Sequence, residues 1–246
     1  MFTYLLRYTD KILLPIEHNK AMNQNYKVNE LFQTIQGEGF NTGVPAIFLR
    51  LQGCDVGCAW CDTKHTWEIN PDKQTELILL TGSSNESTRW ANVNAREIVA
   101  EIKRLGYSAN LVVITGGEPC LADLRELTTV LHEFDFKTQI ETSGTYPVLV
   151  APPTWVTLSP KVNMRAGKVV LQSALERADE IKHPVGTEKD IEQLDALLEN
   201  LKSIEDKVIC LQPISQKVKA TLLCSQVCIE RNWRLSVQMH KYLGID

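Results

Sequence analysis

After residue 28, short apolar segments alternate with segments of helical periodicity. Seven segments are predicted to be buried strands, because most are β-branched or apolar and several end at Gly, Pro or Ser: 46–52, 111–115, 138–142, 155–158, 180–182, 208–212 and 234–238. Five segments carry apolar residues at intervals of three and four and are predicted to be helices: 95–105, 124–134, 169–178, 191–201 and 219–231. Repeated β-α units predict a parallel sheet covered by helices, and hence an α/β fold.

Two α/β architectures fit this alternation, a Rossmann-type sheet and a barrel. No GxGxxG follows any of the predicted strands, which favours a complete or partial barrel. We expect a single core domain over residues 26–246, since barrels of this length are commonly one unit. Residues 1–25 are predicted to be a poorly ordered N-terminal extension, within which Met22 is an alternative start. Residues 68–94 are polar and are predicted to be a solvated insertion.

Composition limits the partners and the compartment. Thirty acidic against 26 basic side chains, a net charge of −4, argue against a nucleic-acid-binding surface. No apolar run approaches the length of a membrane span, and we see no secretory leader. Seven cysteines, an odd number, make a poor disulfide framework. We therefore expect a cytoplasmic protein with reduced cysteines and no nucleic-acid or membrane partner.

Three of the cysteines lie within eight residues, in the run CDVGCAWC that follows the first predicted strand. Cys54, Cys58 and Cys61 can converge on one metal centre. Zinc modules and ferredoxin-type clusters usually need four protein ligands, so three thiolates predict a centre with one open coordination position. The other four cysteines are expected to pack as small apolar residues: Cys120, Cys210, Cys224 and Cys228.

A second motif lies at the end of the next predicted strand. Residues 111–119, LVVITGGEP, run from an apolar strand directly into two glycines. Glycines at a strand end let a ligand approach the bare backbone, whose carbonyls can accept hydrogen bonds from an ammonium group. Such a turn alone is weak evidence, because any loop between a strand and a helix can contain Gly-Gly.

Together, the cysteine triplet and the GGEP turn resemble radical S-adenosylmethionine (SAM) enzymes. The resemblance implies a partial, modified TIM-like barrel of the radical SAM type. It also implies one [4Fe-4S] cluster held by Cys54, Cys58 and Cys61, with SAM on the fourth iron and Trp60 beside the cluster and the adenine. The chemistry implied is the generation of a 5′-deoxyadenosyl radical, in a site that the protein shields from water.

Six further segments resemble one branch of that family, the lyases that form a 7-deazaguanine base: 32–39, 45–54, 61–65, 141–144, 158–161 and 211–215. The similarity runs from about Val28 to the C-terminus. It implies a carbon–nitrogen lyase of queuosine biosynthesis that converts 6-carboxy-5,6,7,8-tetrahydropterin to 7-carboxy-7-deazaguanine, releases ammonia and regenerates SAM. A flavodoxin-like electron donor and a homodimer are implied by the same resemblance.

The resemblance also assigns residues to ligands. Thr63 would bind Mg²⁺, which prefers hard oxygen ligands. The residues that would bind SAM are Trp60, Gly117, Ser159, Pro160, Lys161, Gln212, Pro213, Ile214 and Ser215. The residues that would bind the pterin are Ile35, Gln36, Gly37, Arg50 and Thr115, with Glu38, Glu141 and His240 as further candidates.

For some of these residues a purely structural role is the alternative. Arg50 suits bidentate recognition of a carboxylate, but an arginine in an apolar strand could instead form an interior ion pair. Glu38 and Glu141 could be ordinary loop carboxylates, and a lone histidine such as His240 is more often structural.

Two alternative functions stay open at this point. One is a glycyl-radical-enzyme activating protein, which would use the same triplet on a protein substrate. The other is a non-enzymatic iron–sulfur or zinc module that adds Cys120 to the triplet.

Overall fold

The computed structural model describes residues 24–82 and 87–245, which form one sheet with helices on its outer face. The strands of the described chain are β1 Asn25–Ile35, β2 Pro45–Leu51, β3 Ala91–Asn94, β4 Leu111–Gly116, β5 Lys137–Thr142, β6 Trp155–Leu158, β7 Glu180–Val185, β8 Val208–Pro213 and β9 Arg234–Leu235. The helices are α1 Ala95–Arg104, α2 Arg125–Glu133, α3 Gln172–Arg177, α4 Glu188–Leu198, α5 Val218–Arg231 and α6 Met239–Leu243.

The sheet is open, with the strand order β3-β1-β2-β4-β5-β6-β7-β8-β9. Strand β1 pairs antiparallel with β2 and β3, and the pairings from β2 through β9 are parallel. Parallel neighbours need crossover helices, which accounts for the alternation in the sequence. The α/β prediction and the partial, unclosed barrel are confirmed.

Strand β1 is not among the seven strands that the sequence predicts. Its segment NYKVNELFQTI buries two polar side chains, Asn29 and Glu30, so it shows no clean apolar pattern. Asn29 Nδ2 donates to Gln52 Oε1 at 2.8 Å and to the backbone carbonyls of Ser87 and Arg89. The polar residues of this strand are therefore stabilised by partners distant in sequence, which periodicity cannot indicate.

The polar insertion at 68–94 is only partly a solvated loop. Its described part contains short 3₁₀ turns at Pro71–Lys73 and Leu77–Leu80, and it ends in strand β3. Leu80 and Trp90 are buried, and Thr81 forms a bridge with Leu31 of β1. The insertion therefore covers the edge of β1 that does not pair with β2. Residues 83–86 of the insertion, and residues 1–23 of the N-terminal extension with Met22, lie outside the described residues.

The helix boundaries follow their caps. Asn94 and Glu97 form the capping box that the sequence predicts for α1. Helix α4 begins at Glu188, three residues before the predicted start, because Thr187 and Asp190 form a second capping box. Helix α3 is shorter than predicted, and β9 ends at Leu235 rather than at residue 238.

The two faces of the sheet differ in polarity. Its outer face packs on the helices in a continuous apolar core that includes Ile98, Leu127, Leu131 and Ile140. Its inner face carries polar side chains; on β7, for example, Ile181 and Val185 belong to the core, whereas Lys182 lines a cavity. This polarity follows from the alternation of side chains along a strand.

The loop 36–44 crosses the amino ends of the parallel strands. Phe40 stacks on Trp155 with ring centroids 4.6 Å apart, and its backbone N–H donates to Glu180 Oε1 at 3.0 Å. Gly39 N–H donates to Ser236 Oγ at 2.8 Å, near the other edge of the sheet. The loop therefore forms the floor of the partial barrel. Among the described residues, no helix is long and apolar enough to cross a bilayer.

Candidate functional site

A cavity of about 520 Å³ opens at the carboxyl ends of the parallel strands, above the loop 36–44. Loops after β2, β4, β5, β6 and β8 contribute to its wall, which is the usual position of ligand sites in parallel α/β folds. Every residue predicted to bind a ligand lines this cavity except Pro160, which is buried beside it. The structure therefore brings together segments that are spread over two hundred residues of sequence.

The cysteine loop directly follows β2. Two backbone hydrogen bonds hold its start, from Gly53 N–H to the carbonyl of Thr66 (2.7 Å) and from Cys54 N–H to that of Trp67 (3.1 Å). Cys54, Cys58 and Cys61 all line the cavity, and all seven cysteines of the chain are free thiols. Burial raises the pKa of Cys54 to about 11 and also raises that of Cys58.

The donor chemistry of this loop fits an iron–sulfur cluster. Such clusters are held in proteins mainly by cysteine thiolates. No group of three or more His, Cys, Asp and Glu side chains in the described chain converges closely enough to hold a single metal ion. A [4Fe-4S] cluster binds each thiolate through a different iron, so its ligands need not meet at one point. The arrangement suits a cluster better than a zinc ion.

The two glycines of the GGEP turn are required by close backbone approach. Gly116 has φ +130°, and a Cβ there would overlap the backbone of Leu51. A Cβ on Gly117 would overlap the carbonyl oxygen of Gly53, and hydrogen bonds from Gly117 N–H to Leu51 O (3.0 Å) and from Glu118 N–H to Gly53 O (2.8 Å) join the two loops. The glycines thus place the GGEP turn directly against the cysteine loop.

Glu118 connects the GGEP turn to the loop after β5. This buried carboxylate accepts hydrogen bonds from Cys120 N–H (2.9 Å), Thr142 Oγ1 (2.7 Å) and Ser143 N–H (2.8 Å), as well as from Ser143 Oγ. The cavity wall beside the cluster loop is therefore held by side-chain as well as backbone bonds.

The remaining residues predicted to bind SAM lie on two loops. Lys161 Nζ donates to Ser159 Oγ at 2.6 Å, and burial lowers the pKa of Lys161. After β8, Ser215 lines the cavity with φ +54°, a conformation uncommon for a residue with a side chain. Gln212 Oε1 is buried with no hydrogen-bond partner in the described chain. A bound ligand would satisfy such an acceptor, which fits the SAM assignment.

Thr63, the residue predicted to bind Mg²⁺, lies two residues beyond Cys61. Its hydroxyl donates to the carbonyl of Gly116 at 3.3 Å and lies 3.6 Å from Cys61 Sγ. The hydroxyl therefore lies between the cysteine loop and the end of β4, on the cavity wall.

Arg50 forms an interior ion pair, which was the structural alternative to binding a substrate carboxylate. It also lines the cavity. Its Nε donates to Glu30 Oε2 at 2.7 Å, and Glu30 is fully buried. His65 Nε2 lies 3.8 Å from the other oxygen of Glu30. A guanidinium has four N–H groups besides the one on Nε, so the ion pair does not preclude carboxylate binding.

Glu38 and Glu141 are not ordinary loop carboxylates. Lys182, which sequence reasoning missed, donates from Nζ to both of them at 2.6 Å. Burial alone would lower the pKa of Lys182, but the charges of Glu141, Glu38 and Glu180 outweigh it and raise the pKa. Burial opposes ionisation of Glu38 too, yet Lys182 lowers its pKa to about 2, whereas burial and the Glu38 charge raise the pKa of Glu141.

His240 packs against the loop 36–44. A Cβ on Gly37 would lie 2.5 Å from His240 Nδ1, and Met239 N–H donates to the carbonyl of Gly37 at 3.0 Å. Burial lowers the pKa of His240. Glycine at position 37 thus allows α6 to complete the cavity wall.

Comparisons with known proteins point to one enzyme family. The family model of the radical SAM superfamily matches residues 49–211. The 7-carboxy-7-deazaguanine synthase of Escherichia coli (strain K12) is 59% identical over 220 residues, which cover 89% of this chain and 99% of the relative. The chain belongs to the 7-carboxy-7-deazaguanine synthase family of radical SAM proteins.

Other members of the 7-carboxy-7-deazaguanine synthase family are more distant. The one from Buchnera aphidicola subsp. Schizaphis graminum is 49% identical over 222 residues (89% of this chain, 99% of the relative), and the one from Flavobacterium psychrophilum is 36% identical over 241 residues (96% and 99%). A crystal structure of QueE from Escherichia coli matches with a TM-score of 0.85 at 58% identity, covering 88% of this chain and 95% of that one.

Membership of the radical SAM superfamily confirms two predicted cofactors, the [4Fe-4S] cluster and SAM. The relatives favour neither of the two alternative functions. The assignment of individual residues to cluster, SAM, Mg²⁺ and pterin stays a prediction.

Several cavity residues carry no signal that we could have read from the sequence. Lys182 and Gln238 lie in segments that the sequence predicts only as short strands, and Glu30, the buried partner of the cavity residue Arg50, lies in the unrecognised strand β1. A lysine within a segment predicted to be a buried strand is the pattern that could have drawn attention to Lys182, because a buried ammonium needs partners.

Proposed function

We propose that this protein converts 6-carboxy-5,6,7,8-tetrahydropterin to 7-carboxy-7-deazaguanine with release of ammonia, as a radical SAM carbon–nitrogen lyase of queuosine biosynthesis. The observation that carries the proposal is the polarity of the cavity. A cation, Arg50, lies on one side, and two carboxylates, Glu38 and Glu141, lie on the other. The substrate has the complementary polarity. It carries a carboxylate at one end and the N–H groups of an aminopyrimidinone ring at the other.

Strand register gives the scale of this arrangement. Arg50 on β2 pairs with Thr115 on β4. Ile114 on β4 pairs with Ile140 on β5, so the next residues along these two strands, Thr115 and Glu141, also lie level with each other. Neighbouring strands lie about 4.8 Å apart, so Arg50 and Glu141 are separated by about 10 Å across the sheet. That span accommodates a bicyclic pterin with its carboxylate directed at Arg50.

The chain's own residues would bind the cofactors in the same cavity. Cys54, Cys58 and Cys61 would hold the cluster, while the GGEP turn and the loops 159–161 and 212–215 would hold SAM. When bound, these cofactors supply a 5′-deoxyadenosyl radical. The protein's contribution is to orient the pterin by its two ends and to exclude water.

We also propose that Thr63 binds Mg²⁺ together with the substrate carboxylate. Its hydroxyl is a hard oxygen donor on the cavity wall, near the strand end that carries Arg50. One protein ligand with substrate and water oxygens is consistent with the reluctance of Mg²⁺ to lose its hydration.

The further organisation of the protein is proposed in the same way. We propose a cytoplasmic protein with a single core domain over 26–246, supported by one sheet that runs from β1 to β9. A flavodoxin-like donor would deliver electrons at the cavity mouth, where Trp60 is 41% exposed beside Cys61.

A homodimer is supported by the outer face of α5. Its apolar residues Val218, Leu222 and Ile229 are 75%, 65% and 83% exposed. Light scattering on the wild type and on Leu222→Glu/Ile229→Glu tests this: we expect a dimer that the double variant converts to a monomer, and a monomeric wild type would contradict it.

The activity is tested with anaerobically reconstituted protein, a chemical reductant, SAM, Mg²⁺ and 6-carboxytetrahydropterin. We expect formation of 7-carboxy-7-deazaguanine, detected by its ultraviolet spectrum and mass, and of ammonia in equal amount. If deoxyadenosine accumulates from SAM but no deazapurine forms, the proposed substrate is wrong. Stoichiometric zinc in place of iron would contradict the cofactor assignment itself.

A further inference from the structure

Lys182 is a cation at the polar end of the cavity, 3% exposed, at the centre of β7. Its Nζ lies 2.6 Å from Glu38 Oε2 and 2.6 Å from Glu141 Oε2. Glu38 comes from the floor loop and Glu141 from β5, so one ammonium group joins three separate elements. The side chains of the two glutamates are 16% and 18% exposed, so they are the members of this group that are more accessible to a ligand.

The second oxygen of each carboxylate is also held. Gln238 Nε2 donates to Glu38 Oε1 at 2.9 Å, and Gln36 Nε2 donates to Glu141 Oε1 at 3.1 Å. Each carboxylate oxygen can accept two hydrogen bonds. Gln139 Nε2 donates the second bond to Glu141 Oε1 at 3.3 Å, so the capacity for a ligand N–H lies on Glu141 Oε2 and on both oxygens of Glu38. The orientation of both carboxylates is therefore fixed before any ligand binds, which lowers the entropy cost of binding.

Four other titratable groups face this cluster from the surrounding elements. They are Glu180 on β7, Cys210 on β8, Lys161 in the loop after β6 and His240 on α6. Glu180 adds negative charge, and Lys161 adds the second cation of the region. The two glutamates and Glu180 outnumber the two lysines, so loss of Lys182 leaves a strongly uncompensated negative region.

We propose that Lys182 is the positioning residue that keeps Glu38 and Glu141 ionised and directed at the N–H groups of the substrate's aminopyrimidinone ring. This inference rests on the proposed function, whose substrate supplies those N–H groups. Two adjacent buried carboxylates without a cation share a proton, because like charges at short range cannot both ionise. A shared proton would turn an acceptor into a donor facing the donors of the pterin, and binding would first require its release.

The direction of the pKa values agrees with this role. Burial and the Glu38 charge raise the pKa of Glu141 even with Lys182 present, and Lys182 is the main group that lowers the pKa of Glu38. A residue that served packing alone would not control the protonation of the glutamates.

The test is calorimetric binding of 6-carboxytetrahydropterin to anaerobic, cluster-loaded protein with Mg²⁺ and without SAM. Titrations in two buffers of different ionisation enthalpy, from pH 6.5 to 9, give both the affinity and the number of protons released. For Lys182→Met we expect affinity at pH 6.5 to fall about tenfold or more, the equivalent of one hydrogen bond to a charged group, with about one proton released and recovery towards pH 9. The wild type and Lys207→Met, a lysine outside the cavity, should release none.

A second pair of variants covers the case in which Lys182→Met does not fold. Lys182→Met/Glu141→Gln removes one charge of each sign and is compared with Glu141→Gln alone. We expect the double variant to release a proton from Glu38 on binding, because burial raises the pKa of that carboxyl once Lys182 is gone, and Glu141→Gln, which retains Lys182, to release none. Proton release that is the same with and without Lys182, in whichever pair folds, overturns the proposal, as does an affinity loss that is constant from pH 6.5 to 9.

The same titrations separate this inference from the proposed function. A wild type that binds the pterin but forms no deazaguanine in the turnover assay contradicts the proposed function, while the role of Lys182 is still read from the proton count. A wild type that forms the product, with Lys182→Met binding as tightly as wild type, contradicts the role of Lys182 alone. A wild type that does not bind the pterin contradicts both.

Discussion

Replacement of Gly117 by alanine tests whether the GGEP turn must lie directly against the cysteine loop. The added Cβ would overlap the backbone carbonyl of Gly53, and a backbone oxygen cannot move aside as a side chain could. The two loops would have to separate. That movement would weaken the hydrogen bonds from Gly117 N–H to Leu51 O (3.0 Å) and from Glu118 N–H to Gly53 O (2.8 Å).

The cost can be worked from these contacts. Overpacking typically costs about 1–3 kcal/mol, and each hydrogen bond contributes about 1 kcal/mol. Alanine recovers about 0.4–1 kcal/mol by restricting the unfolded chain, which leaves a net loss of about 2–4 kcal/mol. For a chain of this size that loss lowers the melting temperature by about 4–16 °C.

Gly106→Ala is the matched control, because it makes the same chemical change at a glycine with no atom within 4 Å of the added Cβ. Its φ of +66° gives only a backbone penalty of about 1–2 kcal/mol, partly offset by the unfolded-state gain. Thermal unfolding of the anaerobic proteins compares the two, and SAM binding to the iron-loaded forms provides the second measurement. This prediction is refuted if Gly117→Ala has the same melting temperature as Gly106→Ala and binds SAM as tightly as the wild type does. In that case the close approach of the GGEP turn to the cysteine loop is not required.

Three further predictions concern other parts of the molecule. Cys58→Ala should lose iron and turnover while remaining folded, whereas Cys224→Ala, in the apolar core, should retain both; iron analysis and circular dichroism check this. Arg50→Gln should raise the KM for the pterin about a hundredfold by removing a bidentate carboxylate contact, and unchanged kinetics would contradict the proposed orientation. Burial lowers the pKa of His183 from 6.5 to about 4, so the unfolded chain binds a proton first as the pH falls. Stability should therefore decrease between pH 6.5 and 4, by about 3 kcal/mol in total, and His183→Gln should flatten that part of a urea-unfolding pH series.

Local patterns in the sequence predicted most of the sheet. Strands β2 and β4 through β8 were recognised because most of these segments are rich in β-branched or apolar residues and several end at Gly, Pro or Ser, and helix α1 because its cap and its periodicity agree. Of the strands that were missed, β1 contains buried polar residues whose partners lie elsewhere in the chain, and β3 is only four residues long and includes two asparagines. Strand β9 was predicted too long, since only Arg234 and Leu235 pair with β8.

The candidate site divides in the same way. The cysteine triplet and the GGEP turn are contiguous motifs, so their residues could be selected from the sequence, and the structure brings both to one cavity. The charged pairs could not be selected. Arg50 and Glu30 are 20 residues apart, and Lys182 lies 144 residues from Glu38 and 41 from Glu141.

The sequence by itself thus determined the order of the elements and the positions of the motifs, because secondary structure and short loops depend on neighbouring residues. Only the tertiary structure decided which charges face one another. A buried ion pair depends on strand register and on the burial of both partners, and neither is encoded in a local pattern. The polarity of the cavity, from Arg50 at one end to Lys182 and its two glutamates at the other, is accordingly a property of the folded sheet.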